Sequence, residues 1–529
     1  MKKSCLFWIA SSLAVGMSAC TTLQPPRPAM AGACANWRWI GISQPEARCP
    51  DVPGWTVRPL FPQLAPVRQT SGEYCAKEYD ENENSPRPEL IRELNRFCVY
   101  EVAGWKERLG HYSFPPAASA ELVRLDQDCA ALSLSEKYLP TKTWAPDRDL
   151  YVAQAGAPKT LRTEDQPGVR LSFLDTQPTG EDFPASQGNS PHGFTLARVA
   201  QQLVCPPEPG AHCAAQITTR LALPIIDFDP KSPKHNWTDP EGGGYLGMQS
   251  DLAEAIRSEV DSWRKEKLQR HLVLNLSMAW DGELFGGLNE EQVDDLRAGT
   301  QAVYRALQYA ASFDVLVLAA AGNQKREPCA NTGPLLPAAW EREAPREEAC
   351  PETEKKKKRP LLYAVGGLQS NDQPLGNARR GGMPQRAAYG ETGFFSGSSV
   401  ATAVASSIAA VVWHYFPDHD SHWIMKRLDA GGRGLSFNAD FWFGSSAPLT
   451  APSPKVHKLS LCAALEDACA QPGSGPCPIP LPCPRTAEAS PVPPGLSGST
   501  PAARGSCQPW NFPQPEDDPC PNCRPPIPP

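Results

Sequence analysis

The chain has 529 residues and a formal net charge of −7. This length allows more than one domain and a large apolar core, and the mildly acidic balance argues against a phosphate-neutralising surface, so we expect no nucleic-acid partner. Eighteen cysteines are more than a reducing compartment usually tolerates, which favours an exported protein with disulfide bonds.

The first residues of the chain are typical of a secretory signal. Lys2 and Lys3 precede an apolar segment over residues 5–17, and small residues follow it. A short cationic start followed by a short apolar segment is removed during export and is not part of the mature fold. We therefore predict a signal peptide over residues 1–19.

The predicted signal ends at a cysteine. The residues Met17-Ser18-Ala19-Cys20 resemble the lipobox of bacterial lipoproteins, with Met17 where Leu is usual. The resemblance implies that Cys20 carries a lipid and anchors the chain to a membrane. Thr21 is not the Asp that retains such proteins at the inner membrane, which implies the outer membrane of a bacterial envelope, facing the periplasm or the cell surface. The alternative is an ordinary cleaved signal with an incidental cysteine.

Residues 20–140 are rich in Pro and Trp and show little helical periodicity. One amphipathic helix is predicted, and its apolar face carries Leu90, Ile91, Leu94, Phe97 and Cys98. The composition fits a pro-segment, an accessory domain or a spacer from the membrane, and it leaves these alternatives open.

Between residues 141 and 446 short apolar runs alternate with amphipathic segments, the pattern of a parallel sheet with crossover helices on both faces. The predicted strands cover residues 169–174, 221–226, 271–276, 315–319 and 361–365. The predicted helices cover residues 193–204, 251–263 and 293–309 and a segment that carries Ser399. We therefore predict an α/β domain over residues 141–446.

Two cysteine pairs bracket loops within this domain. Cys205 and Cys213 enclose a turn-forming segment, and Cys329 and Cys350 enclose a polar one. We predict that each pair closes its own loop as a disulfide. Metal ligation is the competing interpretation, but the only Cys-x-x-Cys motif, at 520–523, lacks a second pair at zinc-finger spacing, so we expect no metal site.

Residues 447–529 differ from the preceding domain in composition. They are rich in Pro, poor in apolar residues and contain seven cysteines. Such a segment buries too little apolar surface to form a helical or sheet core. We expect a Pro/Cys-rich tail that disulfides cross-link.

Four polar residues lie where predicted strands end or predicted helices begin. Asp175 ends the strand over residues 169–174, and Asn323 follows the strand over residues 315–319. His192 and Ser399 lie at helix starts. Because the carboxyl ends of parallel strands meet at one edge of a sheet, we expect these four side chains to come together there.

These stretches resemble the subtilases, the subtilisin-like serine peptidases, over roughly residues 165–420. The similar motifs are Leu174-Asp175-Thr176, His192-Gly193, Ala320-Ala321-Gly322-Asn323 and Gly397-Ser398-Ser399-Val400-Ala401-Thr402, the last matching the family's Gly-Thr-Ser-Met-Ala-Thr signature. The chain order Asp, His, Ser is also that of subtilisin.

The resemblance implies a subtilisin-like fold and a serine endopeptidase that acts on polypeptides without a cofactor or catalytic metal. Ser399 would be the nucleophile, His192 the general base and Asp175 the group that orients the imidazole. The side-chain amide of Asn323 and the backbone N–H of Ser399 would stabilise the oxyanion.

A fifth stretch, residues 274–279, resembles the family's strand that pairs with an extended substrate peptide. The resemblance implies that Ser277, Met278 and Ala279 contact the substrate by edge-strand addition. Ala279 replaces a usual Gly, and Phe194 replaces the usual Thr after His-Gly. Two alternatives therefore stand beside the enzyme: an inactive subtilase-fold scaffold that binds peptides, and an envelope lipoprotein whose disulfide-rich ends bind a partner.

Overall fold

The described part of the chain covers most of the predicted α/β domain and parts of its flanks. The computed structural model describes residues 34–45, 47–61, 88–102, 121–133, 146–158, 167–175, 192–207, 212–222, 246–282, 286–287, 290–323, 333–343, 345, 360–379, 384–392, 396–437, 455–472 and 477. The signal peptide, Cys20 and the Cys329–Cys350 pair lie outside these residues. Within them, no helix combines the length and apolarity needed to cross a bilayer.

The strands and helices are named here in chain order. The strands are β1 (Cys34–Ser43), β2 (Trp55–Pro59), β3 (Phe97–Val102), β4 (Leu122–Ser133), β5 (Val169–Asp175), β6 (Ala215–Leu221), β7 (Leu246–Met248), β8 (His271–Leu276), β9 (Met278–Ala279), β10 (Leu316–Ala320), β11 (Tyr363–Leu368), β12 (Arg386–Tyr389), β13 (Arg433–Leu435) and β14 (Val456–Lys458). The helices are α1 (Pro88–Leu94), α2 (Arg148–Gln154), α3 (His192–Val204), α4 (Gln249–Glu266), α5 (Ala298–Ala311), α6 (Trp340–Glu343), α7 (Ser398–Tyr415), α8 (Ser421–Gly431) and α9 (Leu461–Cys469).

Eight strands form one sheet in the order β13-β14-β12-β11-β10-β8-β5-β6. All neighbours in it run parallel except β13, which is antiparallel to β14. The central strands are buried on both faces and are therefore apolar along their length, as parallel sheets require. The predicted α/β fold is confirmed.

Helices cover both faces of this sheet. Leu171 and Phe173 of β5 pack into the core beneath α3 and α7, whereas Leu272 and Leu274 of β8 face the opposite core beneath α4 and α5. Alternate strand residues point to opposite faces, so a single apolar run serves both cores. Because α7 consists mainly of Ala, Val and Ser, it lies close against the sheet, and most of its length is buried.

The region before residue 140 forms a second, antiparallel sheet that the sequence did not predict. Its order is β2-β3-β1-β4-β7, and β9 also pairs with β4. The predicted amphipathic helix ends at Leu94, and Phe97 and Cys98 belong to β3 instead. Residues 97–102 pair with both β1 and β2. These pairings stabilise a strand more than the helical spacing of the apolar residues stabilises a helix.

The antiparallel sheet shares a continuous core with the parallel one. Ile40, Phe97 and Val99 pack in the same buried cluster as Leu252 of α4 and Leu307 of α5. Strands β7 and β9, which lie within residues 141–446, pair with β4 from before residue 140. The domain boundaries predicted from the sequence stay predictions. At this contact, the region before residue 140 packs directly against the α/β domain.

One predicted strand and one predicted helix of the α/β domain need comment. Strand β6 spans Ala215–Leu221 and pairs in parallel with the whole of β5; most of the strand predicted over residues 221–226 lies outside the described residues, so it stays a prediction. The helix predicted over residues 293–309 is split into a short 3-10 turn, Val293–Asp295, and α5.

The expectation that the tail forms no helix or sheet is wrong for residues 455–472. Strand β14 enters the parallel sheet beside β12, and Leu461 and Leu465 of α9 are buried in the core shared with α7. A short apolar segment among prolines can form a strand and a helix when both pack against a core that the rest of the domain already provides. A disulfide joins Cys469 to Cys477.

The predicted disulfide between Cys205 and Cys213 is confirmed, with a Cα–Cα distance of 4.1 Å. It closes the turn between α3 and β6. A further disulfide, which the sequence did not assign, joins Cys49 to Cys98 of β3.

Candidate active site

Three neighbouring strands end together at one edge of the parallel sheet. Asp175 is the last residue of β5, Ser277 follows β8, and Asn323 lies just beyond β10. Leu276 of β8 pairs with Leu174 of β5 on one side and with Ala319 of β10 on the other, so the three strand ends are level. This places the polar groups at the carboxyl edge, as the sequence predicts.

His192 begins α3 and contacts Asp175 directly. Its Nδ1 lies 3.0 Å from both carboxylate oxygens of Asp175. The imidazole is fully buried and the carboxylate is 1 % exposed. For this bond to form, Nδ1 carries the proton, which leaves Nε2 as the basic nitrogen of the ring.

The close approach of α3 to Asp175 depends on Gly193. A Cβ at this position would lie 2.5 Å from the Asp175 Cβ, a distance that real Cβ atoms do not adopt. The His-Gly sequence therefore has a physical reason. Any side chain at 193 would separate His192 from its carboxylate.

Ser399 lies in the first turn of α7, after the N-cap residue Gly397. Its Oγ is buried and forms no hydrogen bond with any residue that the structure describes. The backbone N–H groups of this first turn lack partners within the helix and favour negative charge nearby. Ser399 thus has the location that a nucleophile needs, although its bond to the imidazole is not formed in this arrangement.

Asn323 is held against the residue that precedes Ser399. Its Oδ1 accepts hydrogen bonds from Ser398 N at 2.9 Å and from Ser398 Oγ at 3.1 Å. The backbone N–H of Gly322 donates to the same Ser398 Oγ at 3.0 Å. With Oδ1 engaged in this way, the orientation of the amide is set and Nδ2 is its donor.

Gly397 faces that donor. A Cβ at 397 would lie 2.9 Å from Asn323 Nδ2, so a side chain there would push the amide away from the start of α7. Sequence reasoning assigned no role to Ser398. Its hydroxyl, adjacent to the proposed nucleophile, was the signal that could have revealed it.

The proposed substrate strand is already paired in this structure. Ser277, Met278 and Ala279 are fully buried, and β9 pairs antiparallel with the end of β4 through Leu132 to Ala279 and Ser133 to Met278. Residues 130–132 also pair with β7. The end of β4 therefore lies between two strands of the predicted peptidase region, a pairing that no local pattern in the sequence indicated.

A cluster of buried charges holds β4 at this position. Asp128 of β4 is fully buried and accepts hydrogen bonds from Ser250 N, at 3.3 Å, and from Ser250 Oγ. Arg38 Nη1 lies 2.8 Å from Asp251 and 4.0 Å from Asp128, and its Nη2 lies 2.7 Å from Glu101. Burial raises the pKa of Asp128 to about 7.

Among the described residues, no group of three or more His, Cys, Asp or Glu side chains could hold a metal ion.

Comparison with known proteins identifies one family. The sequence model of the subtilase family matches residues 241–428, a segment that contains Ser277, Asn323 and Ser399. Asp175 and His192 precede the matched segment. The predicted resemblance to subtilases is confirmed by this match, and no curated protein matches the chain.

Three solved structures are similar to this chain at low identity. The prenylagaramide maturation protease PagA is 18% identical to this chain, and the match covers 60% of this chain and 98% of the PagA chain, with a TM-score of 0.35. MycP1 from the ESX-1 type VII secretion system is 18% identical, covering 66% and 93%, with a TM-score of 0.36. The MycP3 protease from the type VII (ESX-3) system is 17% identical, covering 64% and 92%, with a TM-score of 0.35.

Proposed function

We propose that this protein, which matches the subtilase family over residues 241–428, is a serine endopeptidase that forms an acyl-enzyme on Ser399. The observation that carries the proposal is the buried contact between His192 and Asp175, 3.0 Å long, at the sheet edge that also receives Ser399 and Asn323. An imidazole oriented by a carboxylate is what a serine hydroxyl requires for activation.

In the proposed reaction Ser399 Oγ attacks the carbonyl carbon of a peptide bond and its proton passes to His192 Nε2. Asp175 stabilises the imidazolium that forms. The oxyanion accepts hydrogen bonds from Asn323 Nδ2 and from the backbone N–H of Ser399. The imidazolium then gives its proton to the leaving amine, and water hydrolyses the acyl-enzyme by the same steps in reverse order.

The Ser399 hydroxyl and the imidazole would form their bond when substrate binds. Catalytic hydrogen bonds are often long in free enzymes and tighten in the complex, so an unbonded hydroxyl does not argue against the role. The hydroxyl of Ser399 is buried without a partner. Since buried polar groups are nearly always paired, its state is consistent with a group kept available for chemistry.

Substrate binding would compete with β4. We expect an extended peptide to pair with Ser277, Met278 and Ala279, and the end of β4 now pairs with Met278 and Ala279. The peptide must therefore displace Leu132 and Ser133 from this strand or bind beyond them. This makes Leu132 and Ser133 determinants of access to the site.

We further propose that the enzyme is a lipoprotein. Cys20 would carry the lipid anchor after removal of residues 1–19, and the domain would act on polypeptides at the outer membrane of a bacterial envelope. Mass spectrometry of the mature N-terminus tests this directly. A diacylated Cys20 is expected, and an unmodified N-terminus at another residue would contradict the anchor.

A fluorophosphonate probe tests the enzyme proposal. Covalent labelling is expected in the wild-type chain and is expected to be lost in Ser399→Ala and His192→Ala. Ser407→Ala is the matched control, because Ser407 lies in the same helix and its hydroxyl donates to Ala403 O at 2.7 Å, its one side-chain bond among the described residues. Wild-type protein that stays unlabelled, both intact and after cleavage within residues 134–145, would overturn the proposal and favour an inactive peptide-binding scaffold.

Asn323→Ala separates oxyanion stabilisation from nucleophilic attack. Loss of one oxyanion donor lowers kcat by about 10²–10³-fold, less than removal of the nucleophile does. We expect KM for a peptide substrate to change little, because the oxyanion exists only in the transition state. Steady-state kinetics that showed a raised KM with unchanged kcat would assign Asn323 to substrate binding instead.

A further inference from the structure

A run of buried polar side chains lies between β8 and α7, beneath the turn that carries Ser399. Ser277 Oγ lies 2.7 Å from Asn275 Oδ1, and Asn275 Nδ2 lies 3.2 Å from Ser406 Oγ. Ser277 Oγ is also 3.3 Å from the carbonyl oxygen of Ser399. We call Asn275, Ser277 and Ser406 the Asn275 bridge.

An amide is costly at the place that Asn275 occupies. It is 1 % exposed and lies between Phe173 of β5 and Leu318 of β10 in register, both of which belong to the apolar core beneath α7. A buried amide without hydrogen-bond partners would destabilise the fold, and an apolar side chain such as Leu would avoid that cost. The hydrogen bonds of Asn275, and not its volume, therefore distinguish it from its neighbours.

The two hydrogen bonds orient the amide unambiguously. Ser277 donates to Oδ1, since the 2.7 Å contact is shorter than its contact with the Ser399 carbonyl, and Nδ2 donates to Ser406. All members of the bridge are at most 1 % exposed, so water does not compete for these bonds. Low exposure strengthens such a network when every member is paired.

The bridge contacts α7 at two levels. Ser406 follows Ser399 by seven residues, which is about two helical turns and places both on one face of the helix. The hydrogen bond to Ser406 limits sliding of α7 along β8. Ser277 donates its one proton to Asn275, so its 3.3 Å contact with the Ser399 carbonyl is a packing contact that places Ser277 beside the first turn of α7. Ser277, at the other end, belongs to the proposed substrate strand.

We propose that Asn275 is a positioning residue that sets the Ser399 turn relative to the strand carrying Ser277. This inference rests on the proposed peptidase function. Asn275 touches no reacting atom. It acts through Ser277 and Ser406, so that the nucleophile, the imidazole and a peptide on the substrate strand stay in one alignment.

The expected effect is on the rate of attack. A misplacement of about 1 Å at a catalytic group can cost about 10²-fold in rate. Asn275→Leu, which removes both bonds and keeps a side chain branched at Cγ, is expected to lower the second-order rate constant for fluorophosphonate labelling by about 10–100-fold. Ser406→Ala, which removes one bond, is expected to lower it by about 3–10-fold.

Two readouts separate positioning from folding. A purely structural defect lowers the fraction of protein that is labelled at saturation, whereas a positioning defect lowers the rate constant of a fully labelled population. For a peptide substrate, kcat is expected to fall more than KM rises. Ser407→Ala is again the control, because its hydroxyl bonds within α7 and has no link to β8 in the described residues; its rate constant should stay within about twofold of wild type.

The outcomes are distinct from those of the proposed function. An unlabelled wild-type chain refutes the peptidase and with it the bridge. If the wild type is labelled and a folded Asn275→Leu variant is labelled at the wild-type rate, the positioning role of Asn275 is refuted and the peptidase proposal stands. If Asn275→Leu fails to fold, Ser406→Ala decides: a rate equal to that of Ser407→Ala overturns the proposal, and a slower rate at full amplitude supports it.

Discussion

The two sheets of this protein share an apolar core with α4 and α5 but differ in their other contacts. In the parallel sheet, Leu171 and Phe173 form an apolar contact beneath α3 and α7, and an ion pair also joins β5 to α4. In the antiparallel sheet, Arg38, Glu101 and Asp128 form a charged contact with Asp251 of α4. The packing beneath α3 and α7 is apolar, whereas the charged contact depends on which carboxylates are ionised.

This difference separates two properties of the site. The edge that brings Asp175 and His192 together is built on the apolar contact of β5 with α3 and α7. The strand β4, which lies on the proposed substrate strand, is held partly by the charged contact. Catalytic geometry and access to the substrate strand should therefore respond to different changes.

The largest effect should come from the catalytic edge. Asp175→Asn keeps the shape of the side chain but no longer enforces the Nδ1–H tautomer of His192, and by analogy with other serine peptidases kcat should fall about 10⁴-fold. Thermal unfolding should be little changed, because the apolar core around β5 is intact. Comparable kcat values for wild type and Asp175→Asn would show that the 3.0 Å contact is structural only.

The next largest effect should come from the charged cluster. Arg38→Met leaves Asp251 and Asp128 buried without their shared cation, and removing one partner of a buried ion pair costs about 3–5 kcal/mol. Hydrogen exchange is expected to rise first in β1 and β4 rather than in β5 and β8. An exchange pattern raised equally in both sheets would contradict the separation.

The last effect is more gradual, a pH dependence of stability that is spread over several pH units. Burial raises the pKa of Asp128 from 3.8 in the unfolded chain to about 7 in the fold. As the pH rises, the Asp128 carboxyl therefore ionises in the unfolded chain before it ionises in the folded one. The contribution of Asp128 to the free energy of unfolding is fully present below about pH 4 and is lost as the pH rises through about 7, by at most about 1.4 kcal/mol per pH unit.

Asp128→Asn provides the control for this slope. The amide cannot ionise but can still accept from Ser250, so the free energy of unfolding should vary less between about pH 4 and pH 7 than in wild type. Denaturant titrations at several pH values measure the difference. The groups that face Asp128 from packed elements are Arg38, Asp251 and Ser250, and equal slopes in both proteins would exclude Asp128 as the source.

Local pattern determined much of the fold. The strand predicted over residues 271–276 coincides with β8, and the helix predicted over residues 193–204 differs from α3 by one residue. The strand β8 is a nearly continuous apolar run and α3 has one apolar face, so local pattern was sufficient to locate both. The candidate residues of the site were also visible, because a carboxylate, an imidazole, an amide and a hydroxyl recur at strand ends and helix starts.

Partners distant in sequence decided the rest. β4 joins β9 over a long separation, β14 enters the sheet from a proline-rich tail, and Asn275 finds Ser406 only when α7 packs on β8. The sequence alone determined which residue types were available and roughly where the elements form. Only the tertiary structure decided that β4 lies on the proposed substrate strand, that the Asp128 carboxyl is buried and that the Asn275 amide bonds to α7. The physical reason is that strand pairing and desolvation depend on contacts that no local pattern encodes.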